Sequence, residues 1–164
     1  MILNRHEFEN HPRDAAPSIE SFALRQILHR LEISTKGRGF VEITAPISAW
    51  VSAQKVASGL ITVFCRHTSA SLLIQENADP DVLADLERFF SRLAPDDERL
   101  YLHRSEGSDD MPAHIRAALT QTQLAIPILA GRLGLGTWQG IYLFEHRQGP
   151  HRREILLHLL GDAH

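Results

Sequence analysis

The stretch Leu60–Gln75, LITVFCRHTSASLLIQ, contains two apolar segments with a short polar segment between them. Residues 60–66 are mostly β-branched or apolar, and residues 70–75 are again largely apolar, which predicts two β-strands. The residues between them are His-Thr-Ser at 67–69. Two apolar strands near the middle of the chain indicate that β-structure is the framework of the fold.

The polar segment begins with a histidine at a position that can line a pocket. Side chains alternate along a strand, so Ile61, Val63 and Cys65 are predicted to point into the core together. His67 falls on the same side at the strand's end. The alternative is an ordinary turn whose hydroxyl groups bond the backbone. Cys65 belongs to the inward set, so we expect a buried, inert thiol rather than a nucleophile.

The sequence before this stretch predicts a hairpin and a helix. Residues 31–33 and 40–44 alternate in polarity, and Lys-Gly-Arg-Gly at 36–39 is typical of a turn between two paired strands. A helix is predicted to begin at Pro46, because proline fits the first helical turn, and to end at Gly59.

The sequence after it predicts two helices and two further strands. Pro80–Leu93 has Asp79 as N-cap and apolar residues along one face, so this helix is predicted to face the core. A shorter helix is predicted from Pro112 to about Leu119. Residues 138–146 and 154–160 are predicted to be strands, the first of them buried between layers.

The order of these elements predicts the fold class. Strands outnumber helices, no strand–helix–strand rhythm repeats, and no GxGxxG motif follows a first strand, which argues against a doubly wound nucleotide-binding fold. We expect an α+β fold with a mixed or antiparallel β-sandwich-like core and a few helices. The 164 residues fit one domain over residues 21–164. Residues 1–20 are predicted to be a loose extension, or an arm that packs on a neighbouring subunit.

Composition narrows the classes of function. The formal net charge is −3 and no lysine or arginine block is present, which argues against a nucleic-acid partner. No run approaches the ~20 apolar residues that span a bilayer, and residues 1–21 lack the apolar core of a signal peptide. We therefore expect a cytoplasmic protein without a membrane partner. A single cysteine excludes an intrachain disulfide, whereas ten histidines are unusually many.

A second histidine, His114, follows two acidic residues at a predicted helix start. Its place in the first helical turn favours a neutral ring, because the positive end of the helix dipole disfavours imidazolium, and a neutral ring can bind a metal. Asp109 and Asp110 precede it. The alternative is ordinary capping by the two acids with an exposed His114.

A third histidine, His146, ends the apolar strand 138–146 together with Glu145 and Arg147. Gly140 inside a buried strand indicates close approach of another backbone or of a ligand. The alternative is a strand that simply reaches solvent. The three histidines are far apart in sequence and no HExxH motif is present, so only tertiary or quaternary structure can join them. Three neutral imidazoles, with a carboxylate, would suit zinc or a similar divalent ion, with magnesium as the second candidate.

Five short motifs together resemble the YjbQ family. They are HTSASL at 67–72, ENADP at 76–80, DDMPAHI at 109–115, GTWQGI at 136–141 and EHR at 145–147. The resemblance covers about residues 29–161 and includes the turn at 36–40. It implies a compact α+β fold with a β-sandwich-like core, assembled as a homotrimer. It also implies a polar pocket at or near the subunit interface, whose histidines are His67, His114 and His146.

The resemblance further implies thiamine phosphate synthase activity as a secondary role of the family. That reaction joins an aminopyrimidine diphosphate to a thiazole phosphate and releases pyrophosphate. On this hypothesis the catalytic residues are His67, His114, His146 and Arg147, and the three histidines are also the metal ligands. Arg147 and a divalent ion would neutralise the departing diphosphate. The residues expected to bind the substrate and its phosphate groups are Ser69, Asn77, Asp109, Thr137 and Gln139.

Two other functions fit the same residues. Three histidines and an acid would equally serve a metal-dependent hydrolase of a phosphorylated small molecule. The chain also lacks an obvious nucleophile–base pair, which is compatible with a non-catalytic trimer that binds a metal or a metabolite.

Overall fold

The structure is a computed structural model that describes residues 23–162. The strands are β1 Leu24–Ser34, β2 Gly39–Glu42, β3 Ser58–Cys65, β4 Ala70–Glu76, β5 Gln123–Leu129, β6 Arg132–Leu133, β7 Gln139–Glu145 and β8 Arg152–Asp162. The helices are α1 Thr44–Ala53, α2 Pro80–Leu93 and α3 Asp110–Leu119, with a 3-10 turn at Glu98–Leu100. The N-terminal extension predicted for residues 1–20 lies outside the described residues.

Two antiparallel sheets face each other across the core. The five-stranded sheet has the order β1-β8-β3-β5-β6, and the three-stranded sheet has the order β2-β7-β4. Ile61 and Val63 from the first sheet meet the same apolar cluster as Leu72 and Leu143 from the second, and all four are fully buried. The predicted α+β class with an antiparallel sandwich-like core is therefore confirmed.

The predicted hairpin between residues 31–33 and 40–44 is wrong, although β-strands are present at both places. β1 pairs with β8 along its whole length, from Leu24 opposite Asp162 to Ser34 opposite Arg152. β2 instead pairs with β7, where Phe40 stacks on Phe144 with ring centroids 4.0 Å apart. The turn at 36–39 thus carries the chain from one sheet to the other. Local alternation predicts a strand, but it does not identify the strand's partner.

The segment that interrupts the two central strands also connects the sheets. β3 lies in the five-stranded sheet and β4 in the three-stranded sheet, so residues 66–69 cross between them at one rim. Ile61, Val63 and Cys65 are buried, as the alternation predicts. His67 is therefore placed at the rim, directly after an inward-facing row of side chains.

Two helices begin earlier than predicted. α1 begins at Thr44 and α3 at Asp110, each two residues before the proline that was expected to open it. Because the first helical amides have no partner within the helix, a proline fits the third position as well as the first. The predicted stop at Gly59 is also wrong, since α1 ends at Ala53 and Gly59 lies inside β3 opposite Gly161 of β8.

Helix α2 has the predicted start, but it is less deeply buried than a core helix. Asp79 caps it by accepting a hydrogen bond from the Asp81 amide at 2.9 Å. No residue of α2 is fully buried, and Phe89 and Leu93 are each about half exposed. The helix contacts the three-stranded sheet through Phe90, whose ring meets Phe144 edge-on at 5.4 Å. Val82, Leu83, Leu86 and Phe90 are half-buried, so α2 covers the sheet along part of its apolar face, whereas Phe89 and Leu93 remain exposed.

The outer face of the five-stranded sheet is strongly apolar. The exposed large hydrophobic side chains on this face are Leu24, Leu28, Leu60, Phe64 and Leu129, while Arg30 and Glu32 at one end of β1 are exposed and charged. The pairing register puts Leu60 beside Leu160 and Pro127, so the apolar surface is continuous across three strands. At its centre His158 has a buried Nε2 atom with no hydrogen-bond partner among the described residues.

Candidate metal centre and adjoining cleft

Helix α3 brings a histidine over a buried carboxylate at its first turn. Asp110 is the first residue of α3 and only 2% exposed. His114 lies four residues later, on the same face of the helix, because the α-helix repeats every 3.6 residues. Its Nε2 atom is 3.2 Å from Oδ2 of Asp110. The earlier start of α3 makes His114 the fifth helical residue rather than a residue of the first turn.

A second histidine reaches the same carboxylate from the loop before α3. The Nε2 atom of His103 is 2.8 Å from the Oδ2 atom of Asp110, and the His103 and His114 rings are 5.8 Å apart. The possible ligand atoms of His103, Asp110 and His114 lie within 4.8 Å of one another. We call these three residues the His–Asp–His cluster. It is the one group of at least three potential metal-ligating side chains found between residues 23 and 162.

The ring of His114 is oriented by the loop that connects the sheets. Its Nδ1 atom is 3.1 Å from the carbonyl oxygen of Thr68. A carbonyl only accepts, so Nδ1 carries the proton and, in the neutral ring, Nε2 carries a lone pair. That lone pair points towards the Asp110 carboxylate, which is also an acceptor. Two facing acceptors are stabilised only by a proton or a cation between them, and a backbone carbonyl behind the ring is typical of metal-bound histidine.

Arg147 holds the other side of the Asp110 carboxylate. Its Nη1 atom donates to Oδ1 of Asp110, its Nε atom to Oδ2 of Asp109 at 3.1 Å, and its Nη2 atom to the Glu106 carbonyl at 2.7 Å. Burial alone would raise the pKa of Asp109, but hydrogen bonds from the Gln148 amide and Arg147 outweigh it and lower the pKa. Most of the Arg147 donors are thus bound to oxygens of this chain. The Oδ2 atom of Asp110 is contacted by the two histidines instead.

His67 lies in a cleft beside the cluster. Two adjoining cavities of about 310 and 280 Å³ share His67, Thr68 and Thr122, and the second also reaches His114. We call them together the His67 cleft. The Nε2 atom of His67 accepts a hydrogen bond from the Glu154 amide at 2.8 Å. Burial lowers the pKa of His67, and the positive charge of Arg153 lowers it further, so the ring is neutral near pH 7.

His146 lies elsewhere, buried under the helices. Its ring packs edge-on against Phe144 at 4.3 Å, and its Nε2 atom is 2.9 Å from the hydroxyl of buried Ser71. Burial, together with the charge of Arg116, lowers the pKa of His146 to about 3. Within one chain His67 and His114 therefore share a cleft, whereas His146 does not belong to the His–Asp–His cluster.

The residues expected to bind substrate occupy two ends of the three-stranded sheet. Ser69 and Asp109 lie near the cluster, where the Ser69 carbonyl accepts from the His146 amide. Asn77, Thr137 and Gln139 lie at the opposite end of β7, because Gln139 pairs with Glu76 while Glu145 pairs with Ala70. Six residue steps of strand separate the two ends by about 20 Å. In one chain these three side chains cannot reach the His67 cleft, so their predicted role would need a second copy.

His103 is the member of the cluster that the sequence motifs did not single out. It lies in the polar loop between the 3-10 turn and α3, seven residues before Asp110. No periodicity covers this loop, so nothing local indicates that it folds back over the helix start. The available signal was the surplus of histidines close to an acidic pair.

The donor set of the cluster suits particular metals. Two imidazole nitrogens and one carboxylate oxygen are the three-ligand pattern that catalytic zinc sites use, with a fourth position open to water or substrate. Magnesium instead prefers oxygen ligands only. Among the two ions expected from the sequence, the residues present fit zinc better than magnesium.

The fold and the cluster together define an α+β protein with two antiparallel sheets and a histidine–carboxylate cluster beside an open cleft. A family model described as UPF0047 protein YjbQ-like matches residues 29–162. A UPF0047 protein of Synechocystis sp. is 58% identical over 139 residues, which cover 85% of this chain and 95% of that protein. The YjbQ protein of Escherichia coli O157:H7 is 44% identical over 133 residues, covering 80% and 96%. The chain therefore belongs to the YjbQ/UPF0047 family, as its motifs predict.

Solved structures share the fold. A YbjQ-like protein of unknown function from Sulfolobus solfataricus P2 superposes with a TM-score of 0.78 at 21% identity, covering 85% of this chain and all 100% of that one. A YjbQ/UPF0047 family protein of Clostridium acetobutylicum gives a TM-score of 0.70 at 37% identity, covering 80% and 97%. Among residues 23–162, no helix is long and apolar enough to cross a membrane.

Proposed function

We propose that this protein is a metal-dependent enzyme that acts on a phosphorylated small molecule, with zinc held by His103, Asp110 and His114. The observation that carries this proposal is the orientation of His114. Its Nδ1 atom is committed to the Thr68 carbonyl, so its Nε2 lone pair faces the Asp110 carboxylate 3.2 Å away. A proton or a cation between these two acceptors relieves their repulsion, and a cation is proposed because His103 brings a second imidazole nitrogen to the same oxygen at 2.8 Å.

The chain's own residues prepare this site in two ways. The Thr68 carbonyl fixes the tautomer of His114, and Arg147 fixes the rotamer of Asp110 from the opposite oxygen. When bound, a divalent ion would supply charge stabilisation for a phosphate oxygen or an activated water. Arg147 is thus proposed as a positioning residue for Asp110, because most of its donors are already bound to oxygens of Asp109, Asp110 and Glu106.

Among reactions on phosphorylated molecules, the family resemblance makes thiamine phosphate synthesis the first to test. Its departing diphosphate needs charge neutralisation, which the cluster and its ion would give. Hydrolysis of a phosphate ester is the second candidate, because the same three ligands with an open position also suit an activated water. A trimer that binds metal without turnover is the third.

The test of the metal site is a zinc titration of the full chain after treatment with a chelator. We expect one zinc per chain, and loss of binding in His114→Ala and Asp110→Asn. His29→Ala is the matched control, because this histidine is exposed on β1, in the side-chain row opposite to the outer apolar face of its sheet and on a different element from the cluster. Wild-type protein that binds no zinc, or His114→Ala protein that binds it as tightly as wild type, would overturn the proposal.

The test of the reaction compares two assays on the zinc-loaded protein. One follows thiamine phosphate and pyrophosphate formation from the two heterocyclic phosphates, and the other follows inorganic phosphate release from a panel of phosphate esters. Activity in only one assay that is lost in Asp110→Asn assigns the reaction class. Zinc binding without activity in either assay favours the non-catalytic role.

The exposed apolar face of the five-stranded sheet supports the proposed homotrimer. Leu28, Leu60 and Phe64 are 67%, 41% and 39% exposed, although monomers rarely expose a continuous apolar surface of this extent. Phe64 also lines the His67 cleft, so copies that meet on this sheet would bring a neighbour close to the cleft. A neighbouring copy could then supply Asn77, Thr137 or Gln139.

A further inference from the structure

We infer that His67 is a hydrogen-bond donor to the substrate rather than a metal ligand, and that the His67 cleft binds the apolar body of an amphipathic anion. This inference rests on the proposed function, because it names the substrate class of the same site. It separates the roles of His67 and His114, which the sequence assigns together to a metal. Three features of the cleft carry it: the tautomer of one ring, the character of the walls and the neighbouring cluster.

The tautomer of His67 follows from one backbone contact. The Glu154 amide lies 2.8 Å from Nε2 of His67, and an amide can only donate. Nε2 therefore holds the lone pair, and the proton of the neutral ring is on Nδ1. No lone pair remains for a metal unless the Glu154 contact breaks. What the ring offers to a ligand is a single N–H donor.

That donor belongs to a cleft in which polar side chains alternate with apolar walls. His67, Thr68 and Thr122 line both cavities, while Phe64, Ala117 and Ala118 contribute apolar walls. Arg66 lines the outer cavity but is paired with Glu154 at 2.5 Å. Such walls favour a ring or a hydrocarbon chain over a second charged group, because apolar surface is stabilised by leaving water.

The anionic end of the ligand is directed by the neighbouring cluster. The inner cavity reaches His114, whose Nε2 atom belongs to the proposed metal site. An oxygen between the metal and His67 would receive positive charge from one side and an N–H donor from the other. A ligand that satisfies both ends has one anionic group on an apolar body, such as an aryl phosphate.

The experiment uses the full chain labelled with ¹⁵N in its histidine rings, first without metal, then with zinc, then with phenyl phosphate. Without metal, we expect His67 to have a protonated Nδ1 and an unprotonated Nε2. Zinc should shift ring nitrogens of His103 and His114 and leave those of His67 unchanged. A metal-type shift of His67 would overturn the inference while leaving the metal site itself intact. If zinc shifts none of these rings, the proposed function fails, and the metal-free spectrum still tests the tautomer.

Ligand affinity provides the second measurement. On zinc-loaded protein, phenyl phosphate should bind at least about tenfold more tightly than inorganic phosphate, because its ring leaves water. His67→Phe should weaken phenyl phosphate binding about tenfold or more, because it removes the donor to the anion. It also removes the acceptor of the Glu154 amide, but it leaves His103, Asp110 and His114 in place, so zinc affinity should change less than about twofold. His67→Asn, which restores an N–H group, should recover part of the loss.

A variant that fills the cleft tests the contribution of the ligand's apolar body to binding separately from that of its anionic end. Ala118→Trp should remove the advantage of phenyl phosphate and leave the binding of inorganic phosphate unchanged, because Ala118 lines the cleft but is not a member of the His–Asp–His cluster. Equal affinity of wild-type protein for phenyl phosphate and inorganic phosphate would overturn the assignment of the cleft. An unchanged phenyl phosphate affinity in His67→Phe would overturn the assignment of the donor.

Discussion

At the scale of single residues, the carboxylate of Glu145 is a buried charge with several hydrogen-bond donors around it. It is fully buried, and it accepts hydrogen bonds from Arg153 at 2.5 and 2.7 Å, from the Thr35 hydroxyl at 2.9 Å and from the Arg147 amide at 3.0 Å. Burial alone would raise the pKa of Glu145, but these donors outweigh it and hold the pKa below its ordinary value of 4.5. Glu145 therefore belongs to the framework of the rim, although it lies beside the predicted site residues His146 and Arg147.

Glu145→Gln should lower the free energy of unfolding by about 3 kcal/mol at pH 7, because it leaves the Arg153 charge buried without a partner. The folded pKa is lowered, so the stabilisation is present above pH 4.5 and is lost as the pH falls through the folded value. Urea unfolding of both proteins between pH 7 and 3 measures this difference, which should shrink towards acid. The control Glu32→Gln breaks an exposed pair with Arg152 and should change stability by less than about 0.5 kcal/mol.

His146 should make the protein acid-sensitive at higher pH than Glu145 does. Its folded pKa is about 3, because burial and the charge of Arg116 disfavour imidazolium, whereas the unfolded chain binds a proton near pH 6.5. Stability is therefore lost as the pH falls from 6.5 towards 3, by up to about 1.4 kcal/mol per pH unit. Unfolding midpoints of His146→Gln should depend less steeply on pH than those of the wild type. Equal slopes would show that the ring is protonated in the fold.

At the scale of secondary-structure elements, β3 and β8 approach each other through a pair of glycines. Gly59 lies opposite Gly161, and a methyl group on Gly161 would be 2.7 Å from the Ser58 carbonyl oxygen and closer still to Val56. Gly161→Ala should therefore cost about 2 kcal/mol of stability by overpacking this contact. Gly149→Ala is the matched control, because nothing lies within 4 Å of the added methyl group. Thermal unfolding of both variants measures the difference, and equal effects would contradict this account.

The elements also explain what the sequence could predict. The strands could be recognised because alternation and apolar runs are local. The pairing of β1 with β8 could not be predicted, because Ser34 and its partner Arg152 are more than a hundred residues apart and no local signal links them. The apolar face of α2 predicts contact with the core, but an amphipathic pattern does not say how much of that face is covered or by which surface. His67 and His114 come together because residues 66–69 cross between the sheets beside α3. His103 joins them through a loop without periodicity.

At the scale of the whole molecule, two exposed apolar surfaces are candidates for the interface between subunits. One is the outer face of the five-stranded sheet, which includes Leu60 with Leu160 beside it. The other is the exposed face of α2, which includes Leu93 at 51% exposure. The sheet face has more exposed large hydrophobic side chains than α2, and it reaches the His67 cleft through Phe64. It also contains the Nε2 atom of His158, which has no hydrogen-bond partner within residues 23–162. These differences favour the sheet as the interface of the proposed trimer.

Light scattering of the full chain after size-exclusion chromatography should therefore give three times the 18.5 kDa chain mass. Leu60→Asp should shift this towards the monomer mass, because it puts a charge into the centre of an apolar contact where it has no partner. Leu93→Asp is the matched change on α2 and should leave the trimer intact. A trimer that resists Leu60→Asp but dissociates in Leu93→Asp would place the interface on α2 instead. A wild-type monomer at all concentrations would contradict the proposed trimer. It would also mean that Asn77, Thr137 and Gln139 cannot contact a ligand in the His67 cleft.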